Sequence, residues 1–228
     1  MLLALLTACG GGGGAAGNPA PTPPAPTPPC VALAPPSAPA PSGLPPQVTL
    51  TIANGAGVSG NVVITLEPVA APVTTANFLQ YVNSGFYNCT VFHRHGRTAT
   101  LGPFVLQGGG YTAPVASASA FPAAKPTQAP IALEVGRGLS NTRNSLAMAR
   151  TSAPNSATSE FFINTTDNAF LDTSGGGYAV FGSITTGAEL IPSMLAATCN
   201  PSTANFGLGS PDCVPEPNLV ITRAVQTR

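Results

Sequence analysis

The sequence is poor in charged residues. Charged side chains make up 7% of its 228 residues, and eight basic residues balance eight acidic ones. Every basic residue lies at or after Arg94, and together they form no basic stripe, which argues against DNA or RNA as a partner. No apolar run approaches the ~20 residues that a membrane-spanning helix needs.

Histidine is scarce and tryptophan is absent. His93 and His95 are the only histidines, and the sequence has no Cys-x-x-Cys pair. A structural or catalytic zinc site usually draws on several such ligands. We therefore expect neither a metal nor another cofactor.

The first nine residues are apolar and end in Leu-Thr-Ala-Cys. This ending is similar to the lipobox of bacterial lipoproteins, in which the signal is cleaved before the cysteine and its thiol, here that of Cys9, is lipidated. Only eight residues precede Cys9 and none is charged, so either the true start lies upstream or the stretch is a frayed apolar terminus. Gly10 stands where an aspartate would imply inner-membrane retention, so the similarity implies an anchor in the outer membrane.

Residues 10–46 are rich in glycine and then in proline. Thirteen of the 26 prolines fall between Asn18 and Pro46. Such a segment forms neither helix nor central strand and favours extended polyproline conformations. We interpret it as a disordered linker between membrane and domain; recognition of the proline tract by a partner is the alternative.

Five cysteines are present, and lipidation of Cys9 would leave four. An even set suits an oxidising compartment, and four cysteines allow three pairings. A Cys199–Cys213 bond would close a loop rich in Pro, Gly and Asn. A Cys30–Cys89 bond would pin the end of the linker to the domain.

Residues 47–228 show the patterns of one mainly β domain. Short apolar or alternating runs, separated by turn signals, predict strands. We predict two helices, one capped by Thr74 or Thr75 and ending at residues 83–85, the other near residues 188–197. This combination favours a closed antiparallel barrel capped by helices. The predicted strands are residues 47–53, 62–66, 89–93, 145–149, 161–163, 178–184 and 219–225.

Five motifs carry a family resemblance. They are Phe92-His-Arg94, Phe104-Val-Leu-Gln-Gly-Gly-Gly110, residues 145–164 (SLAMARTSAPNSATSEFFIN), residues 167–172 (DNAFLD) and residues 177–182 (GYAVFG). In this order and spacing they resemble the cyclophilin peptidyl-prolyl isomerases, especially the short bacterial periplasmic type. The resemblance implies an eight-stranded barrel with a packed interior and a substrate groove on its outer surface.

The resemblance also implies a site. Arg94 would donate a hydrogen bond to the prolyl nitrogen, with Gln107 holding it in place and His93 as a structural neighbour. Phe104, Val105, Phe162 and Leu171 would line the proline pocket, and Phe170 and Tyr178 would stand at its rim. Ala149, Arg150 and Thr151 would run beside the substrate and offer backbone hydrogen bonds, and Glu160 would face the substrate from the same groove.

An X–Pro bond is a tertiary amide with a rotation barrier of roughly 18–20 kcal/mol. Its isomerisation needs no nucleophile and no proton transfer, because twisting the amide is the reaction. A donor aimed at the prolyl nitrogen is worth most in the transition state, where the nitrogen regains its lone pair. A guanidinium suits this role because it is always charged and carries several fixed donors.

Three departures from the family pattern bear on activity. The connection of residues 95–103 is about five residues longer than usual. Val105 replaces a methionine, which removes flexible apolar surface. Glu160 replaces a glutamine and can only accept hydrogen bonds when ionised. We expect Glu160 to draw Arg94 into an ion pair, so that Glu160→Gln raises kcat/KM; a slower variant would mean that the carboxylate orients Arg94.

These observations predict a periplasmic isomerase, lipid-anchored to the outer membrane. It would act as a monomer on extended, proline-containing segments of envelope proteins, with no nucleic-acid partner. The alternative is a catalytically weak cyclophilin fold that serves as a peptide-binding or assembly module.

Overall fold

Ten strands, two α-helices and two short 3₁₀ helices make up the regular structure of the residues that the computed structural model describes. These residues are 30, 34, 37–40, 42–98, 100, 102–113, 123–200 and 212–228, without the side chains of 199 and 200. The strands are β1 (Gln47–Ala53), β2 (Ser59–Leu66), β3 (Thr90–Thr98), β4 (Gly102–Thr112), β5 (Ser145–Met148), β6 (Phe161–Asn164), β7 (Val180–Thr186), β8 (Thr198–Asn200), β9 (Val214–Glu216) and β10 (Val220–Gln226), and the helices are α1 (Pro72–Asn83) and α2 (Leu190–Leu195).

Eight of these strands close into a barrel. Their order around it is β1-β10-β3-β4-β6-β5-β7-β2, and the paired strands run antiparallel. The predicted closed eight-stranded antiparallel barrel is therefore confirmed. The β8–β9 hairpin forms a separate two-stranded sheet that lies against β3, and the sequence patterns did not predict it.

The barrel interior holds the main hydrophobic core. Side chains alternate across each strand, so Leu146, Phe161 and Phe181 point inward and pack with Phe78 of α1. The residues between them on β5, β6 and β7 point to the outer face. This alternation gives the outer face a second set of apolar side chains.

Helix α1 begins earlier than predicted. It starts at Pro72, so Thr74 and Thr75 are buried within it and do not cap it. The cap comes instead from a distant residue: the buried carboxylate of Glu134 accepts hydrogen bonds from the N–H and the hydroxyl of Thr74, both at 2.8 Å. A carboxylate suits a helix N-terminus, where N–H groups lack partners.

The connection after Arg94 is also different from the prediction. Strand β3 continues to Thr98 and pairs with β4, with Gly96 opposite Val105 and Thr98 opposite Gly102. The longer connection of residues 95–103 is therefore largely an extension of the β3–β4 hairpin. Cys213 joins its outer side through an isolated antiparallel bridge to His95.

A disulfide links Cys30 to Cys89, with their Cα atoms 5.4 Å apart. It attaches the segment before the barrel to the turn that leads into β3. Cys213 is disulfide-bonded as well. Cys9 lies outside the described residues, as does the side chain of Cys199. Over the described part of the chain, we find no helix with the length and apolar character needed to cross a membrane.

Candidate active site

A second apolar cluster lies on the outer face of the barrel, separate from the core. We call it the apolar pocket. It is built where β4, β5, β6 and β7 adjoin, and each of its seven buried side chains is at most 9% exposed. Its members are Phe104, Val105, Ala147, Ala149, Phe162, Leu171 and Val180, with Leu139 and Tyr178 packed against them.

Two aromatic residues border this pocket. The Phe170 ring is 46% exposed and lies 6.0 Å from the Phe104 ring, centre to centre. The Tyr178 ring lies 5.7 Å from that of Phe162. Both residues therefore lie at the edge of the apolar pocket.

Buried amides hold the pocket in shape. Asn168 donates to the carbonyl of Phe104 at 2.7 Å, and its own carbonyl accepts the N–H of Leu171 at 2.8 Å. Asp172 accepts hydrogen bonds from Ser140 and from the N–H of Asn141. Burial raises the pKa of Asp172, but these bonds outweigh it and hold the pKa below its usual value. The short 3₁₀ helix Ala169–Asp172 is thus fixed at both ends.

Val105 fits this pocket because residue 96 is glycine. A Cβ atom at Gly96 would lie 2.5 Å from Cγ2 of Val105 and 3.2 Å from the Phe104 ring. Valine is β-branched and restricted about χ1, so the Val105 side chain could not easily rotate away from a Cβ atom at position 96. Val105, which stands in place of a methionine, therefore packs closely against Gly96 on the opposite strand.

Arg94 lies beside the pocket at the start of a chain of polar contacts. Its guanidinium carbon is 5.9 Å from the centre of the Phe104 ring. Nη1 donates to Oε1 of Gln107 at 3.0 Å, and Nε donates to Oδ2 of Asp212 at 2.7 Å. Gln107 stands directly opposite Arg94 in the β3–β4 pairing, which explains why the two meet.

Glu160 completes this chain but does not contact Arg94. Oε2 of Glu160 accepts a hydrogen bond from Nε2 of Gln107 at 2.7 Å and lies 3.3 Å from Nε2 of His93. The expected ion pair between Glu160 and Arg94 is therefore wrong, since the carboxylate paired with Arg94 is that of Asp212. We call Asp212, Arg94, Gln107, Glu160 and His93 the arginine network.

The environment of Glu160 favours its charged form. Burial raises the pKa of this carboxyl, but the hydrogen bond and charge of His93, the amide of Gln107 and the charge of Arg94 together bring it below its usual value. A Cβ atom at Gly110 would lie 2.6 Å from Oε1 of Glu160, so the carboxylate also packs closely against β4. Glu160 is held in one place and accepts hydrogen bonds there.

The segment after β5 uses much of its own hydrogen-bonding capacity internally. The N–H of Ala149 donates to the carbonyl of Glu160 at 2.9 Å, and that of Thr151 donates to Ser156 at 3.0 Å. The Arg150 guanidinium donates to the carbonyls of Gly175 and Gly177 and lies 4.7 Å from the Tyr178 ring centre. The N–H groups of Ala149 and Thr151 therefore already have acceptors within the chain. The Arg150 side chain links this segment to Gly175, Gly177 and Tyr178 at the pocket rim.

The sequence patterns missed Asp212 and the small pocket residues Ala147 and Val180. Alternation along β5 and β7 could have indicated the latter two, which stand one position from inward-pointing residues. No local signal marks Asp212, which lies 118 residues from Arg94. Among the described residues, no group of three or more His, Cys, Asp or Glu side chains is placed to hold a metal ion.

A closed antiparallel barrel with an arginine beside an apolar pocket on its outer face defines a cyclophilin-like protein. Residues 48–224 match the family described as cyclophilin type peptidyl-prolyl cis-trans isomerase/CLD. The chain belongs to this family of enzymes.

Its relatives include bacterial isomerases. It is 45% identical over 134 residues to peptidyl-prolyl cis-trans isomerase A of Dickeya dadantii, a match that spans 58% of this chain and 64% of that protein. It is 42% identical over 151 residues to the peptidyl-prolyl cis-trans isomerase of Acinetobacter baylyi, spanning 65% of this chain and 72% of that one. Isomerase B of Escherichia coli is 43% identical over 137 residues, 58% of this chain and 76% of that protein.

Solved structures show the same fold. A cyclophilin type isomerase of Cryptosporidium parvum superposes with a TM-score of 0.59 at 21% identity, covering 80% of this chain and 98% of that one. A second structure of that protein, determined in the presence of the dipeptide Ala-Pro, superposes with the same score.

Proposed function

We propose that this chain accelerates the cis–trans isomerisation of X–Pro bonds by binding the proline ring in the apolar pocket and donating a hydrogen bond from Arg94 to the prolyl nitrogen. The observation that carries the proposal is the position of Arg94. Its guanidinium lies beside Phe104, a wall of the pocket, and is held there by Gln107 and Asp212. A charged donor is thus fixed next to a surface that suits a proline ring.

The apolar pocket explains why the chain would act on X–Pro bonds. Proline is the residue whose ring is apolar and whose nitrogen carries no hydrogen, so an apolar recess can take the ring while the nitrogen faces a donor. As the amide twists, the prolyl nitrogen regains its lone pair and becomes an acceptor. The Arg94 donor then stabilises the twisted state more than either planar isomer, which is the requirement for catalysis.

The second candidate function is peptide binding without efficient catalysis. The 2.7 Å ion pair with Asp212 favours it, because a carboxylate that close offsets part of the charge that Arg94 would present to the substrate. A protein of this kind would hold proline segments in the pocket without speeding their isomerisation.

One experiment separates the two candidates. Exchange NMR on an Ala-Pro-containing peptide measures isomerisation and binding in the same sample. An isomerase gives exchange cross-peaks at catalytic amounts of protein, and Phe162→Ala abolishes them by removing the pocket floor. Binding without exchange at any protein concentration would establish the peptide-binding module and overturn the isomerase proposal. Thermal unfolding of the variant shows whether the barrel has survived.

The cellular setting is part of the proposal. We place the domain of residues 47–228 in the periplasm, tethered by residues 10–46 to a lipid on Cys9, as a monomer that acts on proline-containing segments of envelope proteins. The lipobox-like ending at Cys9 and the Cys30–Cys89 disulfide support this, since structural disulfides suit an oxidising compartment. Metabolic labelling with a fatty acid should mark the wild-type chain and not Cys9→Ser; equal labelling of both would contradict the anchor.

A further inference from the structure

Asp212 is the one member of the arginine network that comes from the distant end of the chain. Its two carboxylate oxygens have separate partners: Oδ2 accepts Nε–H of Arg94 and Oδ1 accepts the backbone N–H of Arg97, both at 2.7 Å. The side chain is 12% exposed, and that of Arg94 is 28% exposed. With both oxygens engaged, the carboxylate cannot rotate without losing a bond.

The backbone beside Asp212 is fixed to the same strand that carries Arg94. Cys213 and His95 exchange backbone hydrogen bonds of 2.8 and 3.4 Å. Cys213 is also buried and disulfide-bonded. Asp212 is thus presented to Arg94 by a segment that is tied to β3 just after the arginine, at His95 and Arg97.

Two hydrogen bonds fix the plane of the Arg94 guanidinium. Asp212 takes Nε and Gln107 takes Nη1, so the guanidinium can turn only by breaking one of these bonds. Among the residues that the structure describes, none accepts a hydrogen bond from Nη2. A hydrogen bond from Nη2 to a substrate would leave both of these contacts in place.

We propose that Asp212 is a positioning residue for the isomerisation reaction, acting through Arg94. The inference rests on the proposed function, because it assigns Asp212 a role in the same site. Asp212 fixes the plane and direction of the guanidinium, which a donor must have in place before the amide twists. Its two carboxylate oxygens bind Nε–H of Arg94 and the backbone N–H of Arg97, and neither binds Nη2.

The test is a double-mutant cycle on the isomerisation rate. Asp212→Ala should lower kcat about tenfold, because a loosely held guanidinium is seldom aimed at the prolyl nitrogen, while the peptide Kd changes less than about twofold. In an Arg94→Ala background the same substitution should have no further effect. Asp212→Asn keeps one acceptor oxygen and replaces the other with an NH2 donor, so it can hold only one of the two N–H groups and should recover part of the loss.

Glu189→Ala is the matched control, since it removes one exposed carboxylate at the start of α2, which packs on β2. It should leave kcat unchanged. An Asp212→Ala variant as fast as wild type, or one that loses the same factor with and without Arg94, would overturn the proposal. If Asp212→Ala does not fold, the same cycle is run with Asp212→Asn, measured with Arg94 present and with Arg94→Ala, and the same criteria apply.

The outcome also separates this inference from the function on which it rests. A wild-type chain without isomerase activity overturns the proposed function and this inference together. An active wild type that depends on Arg94 but not on Asp212 overturns this inference alone.

Discussion

At the scale of single residues, Glu160 shows how a substitution in the groove acts through a neighbour. A carboxylate offers no donor, so it can bind Gln107 only through the amide Nε2. Oε1 of Gln107 must then face Nη1 of Arg94, as observed. Glu160 thus selects one of the two amide orientations of Gln107 and keeps an acceptor aimed at the arginine.

Glu160→Gln should therefore lower kcat/KM about two- to fivefold, since a loosened Gln107 amide weakens one hydrogen bond by about 1 kcal/mol or less. This reverses the direction expected from the sequence, which assumed a direct ion pair with Arg94. Steady-state kinetics on a proline peptide measure the effect. Glu160→Ala should be slower still, because it leaves the Nε2 of Gln107 without this acceptor. A faster Glu160→Gln enzyme would show that the carboxylate weakens Arg94 electrostatically.

At the scale of secondary-structure elements, strand alternation separates the core from the site. Phe161 of β6 faces the barrel interior and Phe162 faces the apolar pocket, so two adjacent phenylalanines serve different parts of the protein. The same alternation puts Ala147 on the pocket side of β5. A short strand thus contributes to stability with one face and to binding with the other.

Motif order and hairpin pairing explain how much of the candidate site could be predicted from the sequence. Phe104, Phe162 and Leu171 lie in long motifs of fixed order, and Arg94 and Gln107 are cross-strand neighbours within one hairpin. Asp212 could not be predicted, because its contact depends on how a distant segment returns to β3. The partners of Glu160 could not be predicted either, since several polar side chains compete for it within one groove.

The β8–β9 hairpin carries a prediction at the same scale. Cys199 stands opposite Pro215, close in register to Cys213, which is disulfide-bonded. We expect the bond to join Cys199 to Cys213 and, through its loop of about 15 residues, to add up to ~3 kcal/mol of stability in the chain-entropy model. Peptide mapping without reduction should recover the two cysteines in one linked fragment. Recovery of both as free thiols would contradict the pairing.

At the scale of the whole molecule, a buried histidine links stability to pH. His95 is fully buried on β3. Burial and the nearby charge of Arg97 lower its pKa from 6.5 to about 4, against the opposing effect of Asp212. The unfolded chain therefore binds a proton at His95 at a pH where the folded chain does not, and acid favours unfolding in that range.

The free energy of unfolding should fall as the pH is lowered from 6.5 to 4, by on the order of 3 kcal/mol from His95. Glu160 and Asp172, whose pKa values lie below their usual 4.5 and 3.8, add their own losses at still lower pH. Urea unfolding at pH 6.5 and 4 measures the difference, and His95→Gln should remove most of it. A His95→Gln variant with the wild-type pH dependence would assign the effect to other groups.

The central claim is that an arginine held beside an apolar pocket drives the isomerisation, and one comparison tests it most directly. Arg94→Ala and wild type are measured with the same proline peptide, by exchange NMR for the rate and by titration for the Kd. Arg223→Ala, which removes an exposed positive charge on β10, is the control for net charge. If the donor supplies ~2–4 kcal/mol in the transition state, Arg94→Ala should lose roughly 30- to 1000-fold in kcat/KM while the peptide still binds. An Arg94→Ala variant as active as wild type would contradict the mechanism.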